Sequence, residues 1–430
     1  MVSYHSYLKY VFVTYMATLV VMSPMALVRL TGLFNAAVFV RIILPLLFVG
    51  AMIFLWHKVR GRLKVDGFAW FLFSLCFYGF FWGFFRSNDL YVIVADTASI
   101  LIALAIYIVS QQRVVYPLKL ETYFNFFAYA MLIGDSITVL IGYILRYSGF
   151  PIYMSFGNVM ALFPFVWFLA TKNYKWAAVV FFVIVLSGKV GVMMAVPVIV
   201  LAHILLAYKK SLGSLVVYGI LLLVGINVLL FAIKDIKFTE SGVFGAALVK
   251  IQYQNPYRIT IEDIQFQGDD SDNNAQEYGG GRVGEVIYSL KALSEMNYKP
   301  FLTGGGHGFV YDFYEPGRVL KDIHNVHLSP ISLTVKYGVI LTVFYYLGVL
   351  FLFGRYYKFL LVYDKNPMPF AMLYFCVGNF IFSFTAYSIF VVGVFWFFLG
   401  FLRNIASTEN TIKIRVAEIN PGMENSLART

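Results

Sequence analysis

Long apolar runs separated by short polar connections make up most of the chain. Runs of about 18 or more residues can cross a hydrocarbon core of roughly 30 Å as helices. They lack the alternating pattern of a membrane barrel, the other structure that satisfies its backbone in lipid. The pattern therefore predicts an all-α polytopic membrane protein with about twelve spans. The predicted spans are residues 10–28, 37–56, 68–85, 90–110, 118–145, 152–171, 174–187, 190–208, 213–233, 329–354, 367–385 and 387–403.

One long polar segment interrupts this pattern late in the chain. Its stretch 265–282 is acidic and rich in Asn and Gly, which is typical of a loop without a packed core. Residues 282–296 place apolar side chains at helical spacing and predict a short amphipathic helix. The glycines of 304–308 then mark a turn whose backbone approaches something closely. The predicted organisation is spans one to nine in residues 1–234, a large loop in 235–328, spans ten to twelve in 329–404 and a tail in 405–430.

Composition agrees with a membrane protein. Hydrophobic residues make up 60% of the chain and charged residues 13%, whereas an ordinary soluble domain has about a quarter charged residues. Cys76 and Cys376 both fall inside apolar runs, so they are predicted to pack as small apolar residues and to form no disulfide framework. The net charge of +11 predicts no nucleic-acid partner, because in a membrane protein the distribution of Lys and Arg matters more than their sum.

The distribution of Lys and Arg predicts the orientation in the membrane. With a cytoplasmic amino terminus, the basic connections all lie on the cytoplasmic side, and the opposite short loops hold few basic residues. The tail is then cytoplasmic, and the long loop lies in the periplasm or outside the cell. The basic connections are residues 57–64, 111–119, 171–175, 208–210 and 354–365.

Four ionisable residues fall within or beside the predicted spans: Asp96, Asp135, Lys189 and Lys336. A charge in the bilayer costs at least a few kcal/mol, so each one needs a partner or a function. The predicted topology places all four in the outer half, which favours a polar cavity beneath the long loop. The alternative is local: the aspartates pair with neighbours while the lysines extend to the interface.

Two histidines, His324 and His327, stand where the polar segment meets span ten. Three interpretations are open. On one helix face they could bind a metal with Asp312, Glu315 or Asp322, although no third ligand stands at a recognisable spacing. They could instead form structural hydrogen bonds at the interface, or one could act as a general base. The chain has no Walker A, no G-x-G-x-x-G after a strand, no H-E-x-x-H and no G-x-S-x-G motif, so nucleotide-driven and zinc-protease chemistry is unsupported.

The order of these motifs resembles a known family. LSGKVGVMMA (186–195), GRVGEVIYSLKAL (281–293), PFLTGGGHG (300–308), HNVHL (324–328) and KYG (336–338) follow one another along the chain. This succession is similar to the O-antigen polymerase and O-antigen ligase superfamily of bacterial membrane glycosyltransferases. The resemblance covers most of the chain, since that family has about twelve spans and one large late periplasmic loop.

The resemblance implies a GT-C-like multi-pass protein of the bacterial inner membrane, with its active site facing the periplasm. It implies transfer of glycan from an undecaprenyl-diphosphate carrier to a sugar hydroxyl of another lipid-linked oligosaccharide, inverting and without metal or cofactor. Fixed cations must meet the charge that develops on the departing diphosphate, and Arg282, Lys189 and Arg318 are the candidates. The lipid bilayer is a partner throughout, and a chain-length regulator is a further candidate partner.

Two departures from the family pattern leave choices open. At the outer turn this chain has G-K where the family has S-R, so Lys189 would act as a point charge. The H-N lettering favours His324 as the base, whereas counting back from Gly338 favours His327. O-antigen polymerase is the leading function and ligase, with lipid A-core as acceptor, is the alternative. A hypothesis from a different class of protein is a transporter or glycolipid flippase. This hypothesis predicts ionisable residues at the midplane and short loops on both sides.

Overall fold

The computed structural model describes residues 9–10, 12–14, 16–17, 50, 65–112, 121–148, 159–232, 282–315, 318–363, 366–386, 390 and 392–419. Most of the first two predicted spans, residues 10–28 and 37–56, lies outside the described residues. So do the acidic stretch 265–281 and the end of the tail, residues 420–430.

The described chain is mostly helical. Its helices are α1 (Gly67–Phe85), α2 (Leu90–Ser110), α3 (Glu121–Tyr147), α4 (Leu162–Ala170, after a 3-10 turn at Val159–Ala161), α5 (Tyr174–Leu186), α6 (Val190–Ala207), α7 (Leu212–Ala232), α8 (Arg282–Ser294), α9 (Pro300–Thr303), α10 (Ser329–Val362), α11 (Met368–Ser383) and α12 (Gly393–Ile419). Two antiparallel strands, β1 (Tyr311–Glu315) and β2 (Arg318–Ile323), form a hairpin.

Four of these helices are long and apolar enough to cross a membrane: Gly67–Phe85, Leu90–Ser110, Glu121–Ile144 and Ser329–Val362. Shorter apolar helices accompany them in α5, α6, α7, α11 and α12. Large side chains such as Trp70 and Phe84 stand 58% and 65% exposed, as lipid-facing residues do. The structure thus agrees with the prediction of a helical membrane protein. Cys76 and Cys376 are buried free thiols, as predicted.

An aromatic core joins the helices. The helix α2 packs along α12, and α6 packs along α11. The Phe68 ring lies within 6.4 Å of the rings of Tyr107, Tyr345 and Trp396. These contacts bring α1, α2, α10 and α12 together around fully buried aromatic side chains.

The helix ends gather at two opposite ends of the bundle. At one end, Ser329 Oγ donates to Ala386 O, and a Cβ on Gly191 would meet Thr385 Oγ1. These contacts join the start of α10, the end of α11 and the start of α6. At the other end, Asp66 pairs with Arg403 and accepts from the Tyr107 hydroxyl over 2.8 Å. Since Asp66 caps the first turn of α1, that helix runs from the second end to the first.

The structure differs from the predicted boundaries in three places. The helix α10 continues to Val362 and contains a kink at Gly338, where φ is 80°. The helix α12 continues to Ile419, beyond the predicted boundary at residue 404, because no helix breaker occurs before Pro421 and Gly422. The hairpin lies in a segment predicted as loop, and β1 packs against α8, the amphipathic helix that the sequence predicts.

Candidate functional site

A histidine and a carboxylate pair where α8 meets the segment leading into α10. His327 Nδ1 lies 2.5 Å from Glu285 Oε1, and the His327 backbone N–H donates to Glu285 Oε2 over 3.2 Å. Glu285 is buried, whereas the His327 side chain is 57% exposed. A carboxylate on Nδ1 fixes the orientation and tautomer of an imidazole. The other ring nitrogen, Nε2, is then the one available to a substrate.

A small apolar core holds α8 beneath this pair. Its buried side chains are Leu293, Phe309, Tyr311, Phe313, Val326 and Val335. Gly284 admits the Phe313 ring, because a Cβ at this position would stand 2.8 Å from that ring. Val326 is fully buried, so the residue before His327 is anchored. Burial, and then the nearby Glu285 carboxylate, raise the pKa of the Tyr311 phenol, which therefore stays protonated.

A second polar cluster, here the Lys336 cluster, lies beside the first. Lys336 Nζ donates to Asp96 Oδ1 over 2.6 Å and to Asn325 Oδ1 over 2.7 Å. Asp96 Oδ2 accepts from the Gly308 backbone N–H over 3.0 Å. Asp96 and Lys336 are 6% and 2% exposed, so this ion pair is buried. Asp96 thus pairs with a neighbour, as the alternative predicted, whereas Lys336 is buried against it and does not extend to the interface. Asp135 and Lys189 are half-buried.

The glycine turn, residues 304–308, is packed between α1 and α10. Tight contacts require glycine here: a Cβ on Gly306 would stand 2.3 Å from Gly83 N, and one on Gly304 would stand 2.5 Å from Lys336 O. Every backbone N–H in the turn donates within the protein. The acceptors, in chain order, are Pro300 O, Val335 O, Lys336 O, Gly79 O and Asp96 Oδ2. The predicted close approach is confirmed, and it leaves no N–H of the turn for a phosphate.

His307, inside the glycine turn, is fully buried. Its Nδ1 lies 2.8 Å from Thr97 Oγ1, and its Nε2 lies 2.8 Å from the Tyr337 hydroxyl. Burial lowers the pKa of His307 to about 4, with Asp96 acting to raise it and Lys336 to lower it. A neutral ring with both nitrogens engaged joins α2 to α10 and is closed to a substrate.

The predicted site residues are brought together only in part. Arg282 is the first residue of α8, one turn before Glu285, so its backbone lies beside the His327–Glu285 pair. Lys189 precedes α6 at the same end of the bundle as the start of α10. His324 follows β2 directly and is exposed. Arg318 opposes Glu315 at the turn of the hairpin, about 16 Å along β2 from Ile323, away from the histidines.

The metal interpretation finds no cluster to support it in the part of the chain that the structure describes. No group of three or more His, Cys, Asp or Glu side chains there could hold a metal ion. Asp312 accepts instead from the Asp322 backbone N–H over 3.2 Å, a contact within the hairpin.

Neither the role of Glu285 nor the hairpin was predicted from the sequence. Glu285 could have been found as an acidic residue among the apolar positions of the predicted amphipathic helix, where an unpaired carboxylate would be costly. The hairpin had a signal in YDFYEPGRVL, two strand-like runs joined by Pro-Gly.

No protein-family model, curated protein or solved structure matches the chain.

The contacts between His327 and Glu285 define the chemistry that the site can perform. An exposed imidazole held by a buried carboxylate can take a proton from a hydroxyl group. The amino-terminal end of α8, with Arg282 as its first residue, supplies positive potential beside it. The combination suits activation of a hydroxyl nucleophile near an anionic group.

Proposed function

We propose that the protein is a repeat-unit polysaccharide polymerase of the O-antigen type. It would transfer glycan from an undecaprenyl-diphosphate carrier to a sugar hydroxyl of a second lipid-linked repeat unit. The observation that carries this proposal is the His327–Glu285 pair, an exposed imidazole fixed through Nδ1 by a buried carboxylate. The order of sequence motifs shared with the O-antigen polymerase and ligase superfamily supports the choice of substrate.

His327 is the base in this proposal. Its Nε2 takes the proton of the acceptor hydroxyl as that oxygen bonds to the anomeric carbon of the donor. The bond from this carbon to the diphosphate oxygen breaks, and its electron pair leaves with the diphosphate. Glu285 holds the ring in place and stabilises the imidazolium that forms. A single displacement of this kind inverts the anomeric centre.

The contacts of His327 support its choice over His324. The H-N lettering favoured His324, but the contact that fixes a base in one orientation is made by His327. The Glu285 carboxylate also accepts from the His327 backbone N–H, so ring and backbone are held by one group. His324 keeps a role in the proposal as a neighbour of the acceptor sugar.

Arg282 is the cation proposed for the leaving diphosphate. It is the first residue of α8, one turn from Glu285, where the helix dipole also favours an anion. A guanidinium binds phosphate oxygens with two parallel hydrogen bonds, which suits this task. Lys189, at the same end of the bundle, is proposed as a second, point-like charge. The position of Arg318 at the hairpin turn gives it a peripheral role at most.

The proposed setting is the bacterial inner membrane, with about twelve spans and the site facing the periplasm. The relative placement of helix ends supports this topology. Residues 187–189, the start of α10 and the end of α11 were all predicted on the outer side, and contacts gather them at one end of the bundle. Arg403, predicted on the cytoplasmic side, lies at the opposite end with Asp66.

The test is extension of lipid-linked repeat units by the purified protein in detergent. Wild type should lengthen the glycan, and His327→Ala should reduce the rate by about 100-fold or more. His324→Ala should retain most of the rate. Activity only with a lipid A-core acceptor would identify the ligase, which shares this chemistry. Movement of substrate across liposomes without any lengthening would identify a transporter and refute the proposal.

A further inference from the structure

Lys336 connects the buried interior of the bundle to residues 324–328, here called the histidine segment. Its Nζ reaches Asp96 on α2 and Asn325 in the segment before α10. The lysine is 2% exposed, so the connection runs through the protein interior. Asn325 stands between His324 and Val326, two residues before His327.

Asp96 makes this connection possible and ties it to the glycine turn. A buried ammonium group without a counter-charge would cost several kcal/mol, and Asp96 supplies that charge over 2.6 Å. The second carboxylate oxygen accepts from the Gly308 N–H. One ion pair therefore joins α2, α10, the glycine turn and the histidine segment.

The third partner separates this ion pair from one that merely stabilises the core. Well-packed apolar residues often replace a buried ion pair at little or no cost in stability, so stability alone explains such a pair poorly. Here the Lys336 ammonium also holds an amide oxygen of the segment that carries His327. Val326 anchors the same segment from its apolar side. Lys336 and Val326 thus fix the backbone on which His327 meets Glu285.

We propose that Lys336, neutralised by Asp96, is a positioning residue that holds Asn325 and thereby aims His327 at the acceptor hydroxyl. The inference rests on the proposed function for its catalytic consequence. Its structural content, that Lys336 orders residues 324–328 through Asn325, stands apart from any activity.

Asn325 is the residue to vary, because it is half-buried and its replacement leaves the Asp96–Lys336 pair intact. Asn325→Leu removes the acceptor of the Lys336 ammonium. Asn325→Asp keeps an acceptor oxygen at the same place. Thr334→Ala is the matched control, since the Thr334 hydroxyl donates to Pro330 O within its own helix.

The first measurement is glycan extension as a function of donor concentration. Asn325→Leu should lower kcat by on the order of 100-fold with KM changed little, since a displacement of about 1 Å is enough for such a loss. Asn325→Asp should recover most of kcat, and Thr334→Ala should match wild type. Wild-type kcat in Asn325→Leu would overturn the inference.

The second measurement does not depend on activity. Hydrogen exchange read by mass spectrometry should rise at residues 324–328 in Asn325→Leu and stay unchanged at residues 304–308. Unchanged exchange at 324–328 would overturn the inference even if the proposed function holds. If wild type fails to extend glycan, the proposed function falls, and the exchange experiment still decides whether Lys336 orders the segment.

Discussion

Replacing Gly306 by alanine should destabilise the protein more than any ordinary surface change. Gly306 has φ of +79°, and a Cβ would stand 2.3 Å and 2.6 Å from the backbone N and Cα of Gly83. Backbone atoms of a packed helix cannot give way as a flexible side chain can. The left-handed conformation costs a non-glycine residue about 1–2 kcal/mol, and overpacking adds typically about 1–3 kcal/mol.

Displacing the turn would also weaken two hydrogen bonds, from Gly306 N to Lys336 O at 2.9 Å and from His307 N to Gly79 O at 2.8 Å. We expect a total loss of about 3–5 kcal/mol in the free energy of unfolding. An unfolding entropy of about 2.1 cal/mol/K per residue over this 430-residue chain converts this loss to about 3–5 °C in Tm.

The assay is thermal unfolding of detergent-purified protein, followed by intrinsic tryptophan fluorescence. The matched control is Gly219→Ala on α7, where a Cβ would meet nothing within 4 Å. Alanine there should leave Tm unchanged or raise it slightly, because it favours helix over glycine. A Gly306→Ala protein that melts within about 1 °C of wild type would refute the packed turn.

Three further predictions concern the buried ionisable residues and the topology. The pKa of His307 is about 4 in the folded protein and about 6.5 in the unfolded chain. Below about pH 6.5 the unfolded chain therefore binds a proton that the folded protein does not bind. Acidification from pH 7 to 4 should accordingly lower the free energy of unfolding by about 3 kcal/mol. His307→Gln should remove this component of the pH dependence of Tm, and an unaltered dependence would refute it. Asp96→Asn should cost about 3–5 kcal/mol, and Asp96→Leu with Lys336→Met should recover most of it, both measured as Tm; equal losses in the two proteins would argue against the ion pair. An impermeant maleimide should label Ser87→Cys in intact spheroplasts and Ser211→Cys only after lysis. Both serines are exposed and both native thiols are buried, so the introduced cysteines report the side of the membrane. Labelling of both variants in intact spheroplasts would contradict the topology.

The helices of the bundle could be predicted from the sequence because their signal is local. The predicted spans 68–85 and 90–110 match Gly67–Phe85 and Leu90–Ser110 to within a residue. The length of one apolar stretch is enough to predict such a helix. The helical spacing of apolar residues likewise predicted the amphipathic α8. The far end of α12 was placed too early, because a change to polar composition marks the end of an apolar span and not the end of a helix.

The partners of the buried polar residues could not be predicted, because they are far apart in sequence. Asp96 and Lys336 were each recognised as costly charges, yet 240 positions separate them, and only the tertiary packing shows that they meet. The glycines of the turn predicted a close approach of its backbone but not the group that it approaches. That group is Gly83 on another helix, which leaves room only for hydrogen atoms on Gly306. Glu285 became visible as a site residue only through its contact with His327.

The initial rate of glycan extension by Glu285→Gln tests the central claim most directly. Glutamine keeps the size of the side chain but removes the charge that, in the proposed mechanism, orients His327 and stabilises its imidazolium. Glu295→Gln, an exposed position just beyond the same helix, is the control. The account predicts that Glu285→Gln loses about 100-fold or more in rate with Tm near that of wild type, while Glu295→Gln is unaffected. Wild-type rates from folded Glu285→Gln protein would contradict it.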